Sequence, residues 1–234
     1  IFMSKPSISK KILFWYDNNK RILPWRKNTS KEQKLYFTLV SEFMLQQTQV
    51  STVIPYFKRF VQKIPNFKKL SKTNDQTLMK LWEGLGYYSR ARNLKKSAIM
   101  IINKFGGILP SNFEDLKSLP GVGDYTSTAI MAIAFNEKFI PLDGNVERIL
   151  KRVLFLRSDR DISKENIQIS KNFFGLSERA SDYAQAIMEL GALVCRPTSP
   201  LCGKCPIRIN CISYKRKDFS LIKKTKKNKI KYFE

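Results

Sequence analysis

The sequence predicts an all-α protein. Apolar residues recur three and four positions apart along almost the whole chain, and no stretch alternates residue by residue as a half-buried strand would. The segment from Leu119 to Asn145 reads as helix, hairpin, helix. Pro120 breaks one helix, Gly121 and Gly123 let the backbone turn tightly around Val122, and Ala129, Ile130, Ile133 and Ala134 mark the buried face of the next.

Length and charge set the frame. A chain of 234 residues can bury a core in one domain or in two closely packed lobes. Its 43 Lys and Arg against 19 Asp and Glu give a formal charge of +24, far beyond what solubility requires, so a polyanionic partner is expected. Nucleic acid fits best; the basic residues are interleaved with aromatics and not gathered on one amphipathic helix, which argues against a membrane surface. There is no signal peptide and no apolar run near 18 residues, so a soluble intracellular protein is expected. Histidine is absent, which excludes Ser-His and Cys-His nucleophiles, imidazole metal sites and histidine acid–base catalysis.

Taken in order, residues 8–23 read as a helix ended near Pro24, followed by Trp25, Arg26 and a polar loop from Lys27 to about Lys34. The next helix is expected from Leu35 to about Val50, with Thr38, Ser41, Glu42, Gln46 and Gln49 on one face. That face is either a solvated stripe or a wall on which Glu42, among close apolar neighbours, has a raised pKa and can donate a proton at neutral pH. Helices follow at about 52–62, 75–83, 89–104 and 112–118. Between two of them, Gly84-Leu85-Gly86-Tyr87-Tyr88-Ser89-Arg90 is either a turn that packs aromatics inward or a loop offering an aromatic wedge to stacked bases, with Arg90 and Arg92 for the flanking phosphates. Helical pattern resumes from Asn145 to about Leu156, then at about 163–174 and 181–194.

The hairpin carries its own chemistry. Without side chains on Gly121 and Gly123, backbone N–H groups at the start of the second helix can approach a phosphate. Asp143 follows at the end of an apolar run, where an unpaired carboxylate is costly; it is either a helix cap or a catalytic group.

All four cysteines, Cys195, Cys202, Cys205 and Cys211, fall within seventeen residues, spaced Cys-x6-Cys-x2-Cys-x5-Cys. Such a knot argues for metal and against disulfides. Four thiolates suit zinc or a [4Fe–4S] cluster, and the long first gap favours the cluster. Beyond Cys211 lysines dominate and no apolar period survives, so 212–234 reads as a basic tail or linker.

Together, Leu23-Pro24-Trp25-Arg26, Ser41-Glu42-Phe43-Met44-Leu45-Gln46-Gln47-Thr48-Gln49, Gly84-Leu85-Gly86-Tyr87-Tyr88, Leu119-Pro120-Gly121-Val122-Gly123, Leu142-Asp143-Gly144-Asn145, Glu189-Leu190-Gly191-Ala192 and the cysteine knot resemble the helix-hairpin-helix DNA glycosylases of the endonuclease III superfamily, and within it the MutY adenine glycosylases. The resemblance runs from about Leu23 to Cys211. It implies two lobes, a six-helix barrel over 26–136 and a cluster lobe joining 1–25 to 137–211, with DNA crossing between them.

By the same resemblance Glu42 protonates the flipped adenine, Asp143 with Asn145 steadies the cationic sugar, and Trp25, Arg26 and Glu189 surround the base. Tyr87 would wedge into the stack, while Gln47, beside Gln46, probes the vacated space. Tyr125 stands where strand-cutting relatives carry a lysine, which implies a monofunctional enzyme. The expected partner is duplex DNA with adenine opposite 8-oxoguanine or guanine, met by a monomer in the cytoplasm at the nucleoid. MutY proteins continue into an 8-oxoguanine-reading domain, whereas 23 residues follow Cys211 here, so that domain is expected to be truncated or absent. Two rivals remain open at this level: a thymine or uracil mismatch glycosylase, and a non-catalytic DNA-binding module with a redox-sensing cluster.

Overall fold

The computed structural model describes residues 7–27, 29–156 and 170–219, and among these every regular element is helical. The elements are α1 (Ile8–Asn19), a 3-10 turn at Pro24–Arg26, α2 (Lys31–Leu45), α3 (Val50–Lys63), α4 (Phe67–Lys72), α5 (Asp75–Trp82), α6 (Ser89–Lys104), α7 (Phe113–Ser118), α8 (Asp124–Phe135) and α9 (Gly144–Leu154). After a helical stretch at 170–174, the Ala180–Glu189 helix widens into a π-helical turn at Leu190–Val194, and a short helix closes at Ile212–Arg216.

Two hydrophobic clusters organise these helices. One gathers α2 to α8 around Phe43, Phe57, Phe60, Trp82, Leu94 and Ile130, all fully buried or within 1 % of it. The other joins Ile12 and Tyr16 of α1 to Ile149 of α9, Ile187, Leu190 and Ile207. The chain starts in the second cluster, builds the first, and returns. α1 therefore packs on the Ala180–Glu189 helix, with α8 behind it.

Several boundaries differ from the sequence expectation, each for a local reason. α1 ends at Asn19 and not at Leu23, because Lys20 turns extended and the N–H of Arg21 leaves the helix for Glu189 Oε2 at 3.1 Å. α2 begins four residues early: Ser30 caps it, its hydroxyl accepting from the Gln33 N–H at 3.2 Å. It also stops at Leu45, so Gln46 and Gln49 do not continue the helical face of Glu42 as the pattern implied. Gln47 sits in the left-handed region at φ 56°, and α3 restarts at Val50. α4, capped by Asn66, is too short to show a repeat and was not expected. The first residues of the anticipated basic tail form the Ile212–Arg216 helix, whose Ser213 is buried; the lysines from Lys223 onward, like residues 163–169 of an expected helix, lie outside the described residues.

The hairpin between α7 and α8 is pinned from below. Ser97 of α6 donates to the Pro120 carbonyl at 2.8 Å and Gln46 donates to the Gly121 carbonyl at 3.3 Å. Gly121 has φ 82°, and a Cβ there would stand 2.9 Å from both Asn93 Cβ and Phe43 Cε1. Positive φ and two close neighbours both act against a side chain. Gly121→Ala is therefore expected to destabilise the fold by about 1–3 kcal/mol, read as a lowered urea midpoint with an unchanged m-value.

Candidate active site

A cleft of about 1120 Å3 opens between the two clusters. Its walls come from the Lys20–Lys27 segment, the end of α2 with the turn after it, Tyr125 and Ile133 of α8, Asp143, Asn145, and the Ala180–Glu189 helix. Of the residues singled out from sequence, Trp25, Arg26, Glu42, Gln46, Gln47, Tyr125, Asp143, Asn145 and Glu189 all line it. The two carboxyl groups from opposite ends of the argument, Glu42 and Asp143, thus share one cavity.

Their environments differ. Glu42 lies on α2 among Leu39, Val40 and Phe43, is 7 % exposed, and its carboxyl makes no hydrogen bond among the described residues. Burial pushes its pKa up to about 7, the negative charge of Asp143 pushes the same way, and Arg26 opposes both. Asp143 is also raised by burial, but four groups resist the rise. It caps α9: Oδ1 accepts from the N–H groups of Asn145 at 2.9 Å and Val146 at 2.8 Å, Oδ2 accepts from Asn145 Nδ2 at 2.7 Å, and the Arg148 cation lies nearby. The helix dipole adds to this at the N-terminus. Cap and cavity carboxylate, posed as alternatives from sequence, are one residue. The arrangement favours a neutral acid at Glu42 opposite an ionised carboxylate at Asp143.

Tyr125 is half-buried in the same cleft: loss of solvent and both carboxylates push its phenol well above its ordinary range, and its hydroxyl contacts Met188 Sδ at 3.7 Å. It is held neutral and is no nucleophile. On the opposite wall Glu189, 1 % exposed, accepts from Arg26 Nη1 and from Arg21 Nε at 3.3 Å. Trp25 rests edge-on against Phe57, centroids 5.3 Å apart.

Other predicted site residues lie outside the cleft. Leu119 and Val122 are buried side chains of the first cluster, so only their backbone can meet a ligand. Gly123 caps α8 without a side-chain hydrogen bond, which leaves N–H groups of the first turn for an outside acceptor. Tyr87 is half exposed, in the left-handed region at φ 49°.

Arg148 and Gly191 carry functions that the sequence did not disclose. Arg148 Nη2 donates to Asn145 Oδ1 and to the Gly191 carbonyl, both at 2.7 Å, while Nε donates to the Cys195 carbonyl at 2.7 Å. A Cβ on Gly191 would stand 2.5 Å from Asn145 Cβ, so only glycine lets the π-helical turn press against the Asp143–Asn145 pair. The i, i+3 spacing from Asn145 to Arg148 on α9 was the available signal.

The four cysteines are free thiols and line a second, small apolar cavity with Ile149, Val153 and Leu190. Arg152 reaches it from below, Nη1 lying 3.4 Å from Cys195 Sγ. Burial pushes the Cys205 thiol up to about 12 and those of Cys202 and Cys211 in the same direction, so bare thiols here would stay protonated and inert. Among the described residues no three His, Cys, Asp or Glu side chains converge to hold one metal ion. Four cysteines lining one cavity are a donor set whose chemistry suits an iron–sulfur core, whose charge would supply the drive for deprotonation.

Fold and site together define a helix-hairpin-helix protein with an acid–carboxylate pair in its interlobe cleft. The chain belongs to the HhH-GPD superfamily of base excision DNA repair proteins, whose pattern residues 40–173 match. It is 43 % identical over 218 residues to the adenine DNA glycosylase of Rattus norvegicus, covering 88 % of this chain and 42 % of that protein. It is 38 % identical over 240 residues to the adenine DNA glycosylase of Buchnera aphidicola subsp. Acyrthosiphon pisum, covering 99 % and 67 %. The chain thus spans about two fifths of the mammalian relatives and two thirds of that bacterial one. A solved thermostable thymine-DNA glycosylase superposes with a TM-score of 0.78 at 27 % identity, over 89 % of this chain and 95 % of that one. A non-covalent endonuclease III–DNA complex superposes at 0.73 and 23 % identity, over 89 % and 94 %, a likeness of fold.

Glu42 allows a test on stability alone. With its folded pKa raised above the unfolded value, the stability it contributes is present below about 4.5 and lost as pH rises through about 7. Glu42→Gln removes that loss. The variant is expected to gain stability relative to the parent between pH 5 and pH 8, by up to about 3 kcal/mol, in paired denaturation curves.

Proposed function

We propose that this chain is a monofunctional DNA glycosylase that hydrolyses the N-glycosidic bond of adenine mispaired with 8-oxoguanine or guanine. The observation that carries the reading is the shared cleft of Glu42 and Asp143, with the first poised to be protonated near neutrality and the second held by the N-terminus of α9. The adenine glycosylases among its relatives support the choice of base.

The adenine must first leave the stack, at a cost of a few kcal/mol. The turns bearing Gln47 and Tyr87 are placed to fill the gap, while the uncapped first turn of α8 takes a phosphate. Glu42 gives its proton to N7, so the base departs neutral as its bond to C1′ breaks. Asp143 faces the positive charge that grows on the sugar, and its three hydrogen bonds keep it fixed as that charge develops. Water adds at C1′ and its proton restores the Glu42 carboxyl. Arg26, Trp25 and Glu189 form the wall around the base. Tyr125 supplies no amine for Schiff-base chemistry, so the abasic strand stays uncut.

Cys195, Cys202, Cys205 and Cys211 would hold a [4Fe–4S] cluster, which when bound supplies a redox-active cross-link for the loop. The two hydrophobic clusters support a barrel lobe over 26–136 and a second lobe joining 1–25 to 137–211, with the remaining segment as tail. Among the described residues no helix is long and apolar enough to cross a membrane. We place the protein on DNA as a monomer at the nucleoid.

Side-by-side turnover of A:8-oxoG, A:G, T:G and U:G duplexes tests the substrate. Adenine mispairs are expected to win; preferential thymine release would favour the second reading, to which the likeness with a thymine-DNA glycosylase lends support. The excision rate should fall as pH rises through about 7, since the protonated Glu42 is the active form. Glu42→Gln should cost roughly 10²–10⁴-fold in rate with DNA binding retained. Borohydride should trap no enzyme–DNA adduct with the parent chain.

A further inference from the structure

One buried cation has no part in the chemistry above. Arg90, at the start of α6, is 6 % exposed and is paired with no carboxylate in the described structure. Its guanidinium is spent on backbone carbonyls instead. Nη1 donates to Phe43 O at 3.2 Å, Met44 O at 2.8 Å and Gln46 O; Nη2 donates to Leu85 O at 3.2 Å and Gly86 O at 3.1 Å. Nε is buried without a partner, and the plane stacks 5.3 Å from the Tyr87 ring centroid.

The first two carbonyls are among those left open at the C-terminus of α2, where a cation is favoured, and the third belongs to the residue that follows it. The other two immediately precede Tyr87. One planar group therefore joins two chain segments about forty residues apart in sequence, each leading into an exposed residue with left-handed backbone: Gln47 at φ 56° and Tyr87 at φ 49°. Such a conformation is unfavourable for a non-glycine residue and persists only where its surroundings enforce it. Arg90 is the enforcing group common to both. Lysine cannot replace it, since a single ammonium offers three donors from one point and cannot span five carbonyls on two turns.

We propose that Arg90 is a positioning residue that locks the Gln47 turn and the Tyr87 turn into one rigid unit, so that the two side chains enter a DNA duplex together and the adenine is extruded in a single concerted insertion. The proposal rests on the reading of the chain as a DNA glycosylase. It assigns Arg90 to extrusion, not to bond cleavage, although its carbonyl contacts lie one turn from Glu42.

The test is a double-mutant cycle read by two probes. Gln47→Ala, Tyr87→Ala and the double variant keep Arg90 in place and alter only exposed side chains; Arg90→Lys is measured alone and with Tyr87→Ala. Single-turnover excision from an A:G duplex reports the whole reaction. Fluorescence of 2-aminopurine set beside the target adenine reports unstacking without chemistry. If the turns act as one unit, each single change should lower unstacking by about tenfold and the double variants should be little worse than the singles. Arg90→Lys should lower unstacking and excision in parallel while leaving the pH at which the rate falls unchanged. Additive losses in the Gln47–Tyr87 cycle would overturn the proposal, as would an Arg90→Lys variant with normal unstacking. If Arg90→Lys does not fold, the Gln47–Tyr87 cycle decides alone. Absence of adenine release by the parent chain, with the fluorescence cycle still non-additive, would overturn the glycosylase reading and leave the rigid unit standing.

Discussion

Two buried carboxyl groups that share one cleft cannot both be ionised at little cost, and much of this molecule follows from how that conflict is resolved. Asp143 receives backbone donors, an amide and a helix terminus; Glu42 receives apolar neighbours and a half-committed arginine. The proton therefore goes to Glu42. That asymmetry is set by secondary structure more than by side-chain pairing, because a cap position exists only at the start of a helix and α2 offers none to a residue four from its end.

The cleft is consequently a product of both hydrophobic clusters. α2 brings the acid from one, α9 brings the carboxylate from the other, and Tyr125 on α8 feels both. Close approach between the elements depends on missing side chains. Gly121 admits Phe43 and Asn93 beneath the hairpin, and Gly191 admits Asn145 beside the π-helical turn. Larger residues at either place would move a wall of the site by displacing backbone.

Much of this was legible beforehand, for reasons that differ by residue. Glu42, Asp143 and the four cysteines could be singled out because the expected chemistry demands particular residue types in particular settings, and the structure sets the two carboxyl groups in one cleft and the cysteines around one cavity. The hairpin could be found because proline and glycine punctuate the backbone in a way other residues do not. Gln47 was misplaced on a helix, since glutamine is a good helix former and nothing local announces a left-handed turn; the cause, Arg90, lies over forty residues away. Arg90 was expected to meet a flanking phosphate but is buried on carbonyls, and Arg148 drew no reading at all; carbonyl partners belong to every residue and leave no complementary letter in a sequence.

The pairing of Arg21 and Arg26 with Glu189 bridges a sequence separation of 168 residues for the Arg21 N–H. Closing a loop that long costs chain entropy that no nearer contact repays. Enclosure of the cleft on that side is thus completed only after α1 and the Ala180–Glu189 helix have docked. Until the Ala180–Glu189 helix is made, Glu42 on α2 has no wall opposite it, so the cleft takes shape late in synthesis.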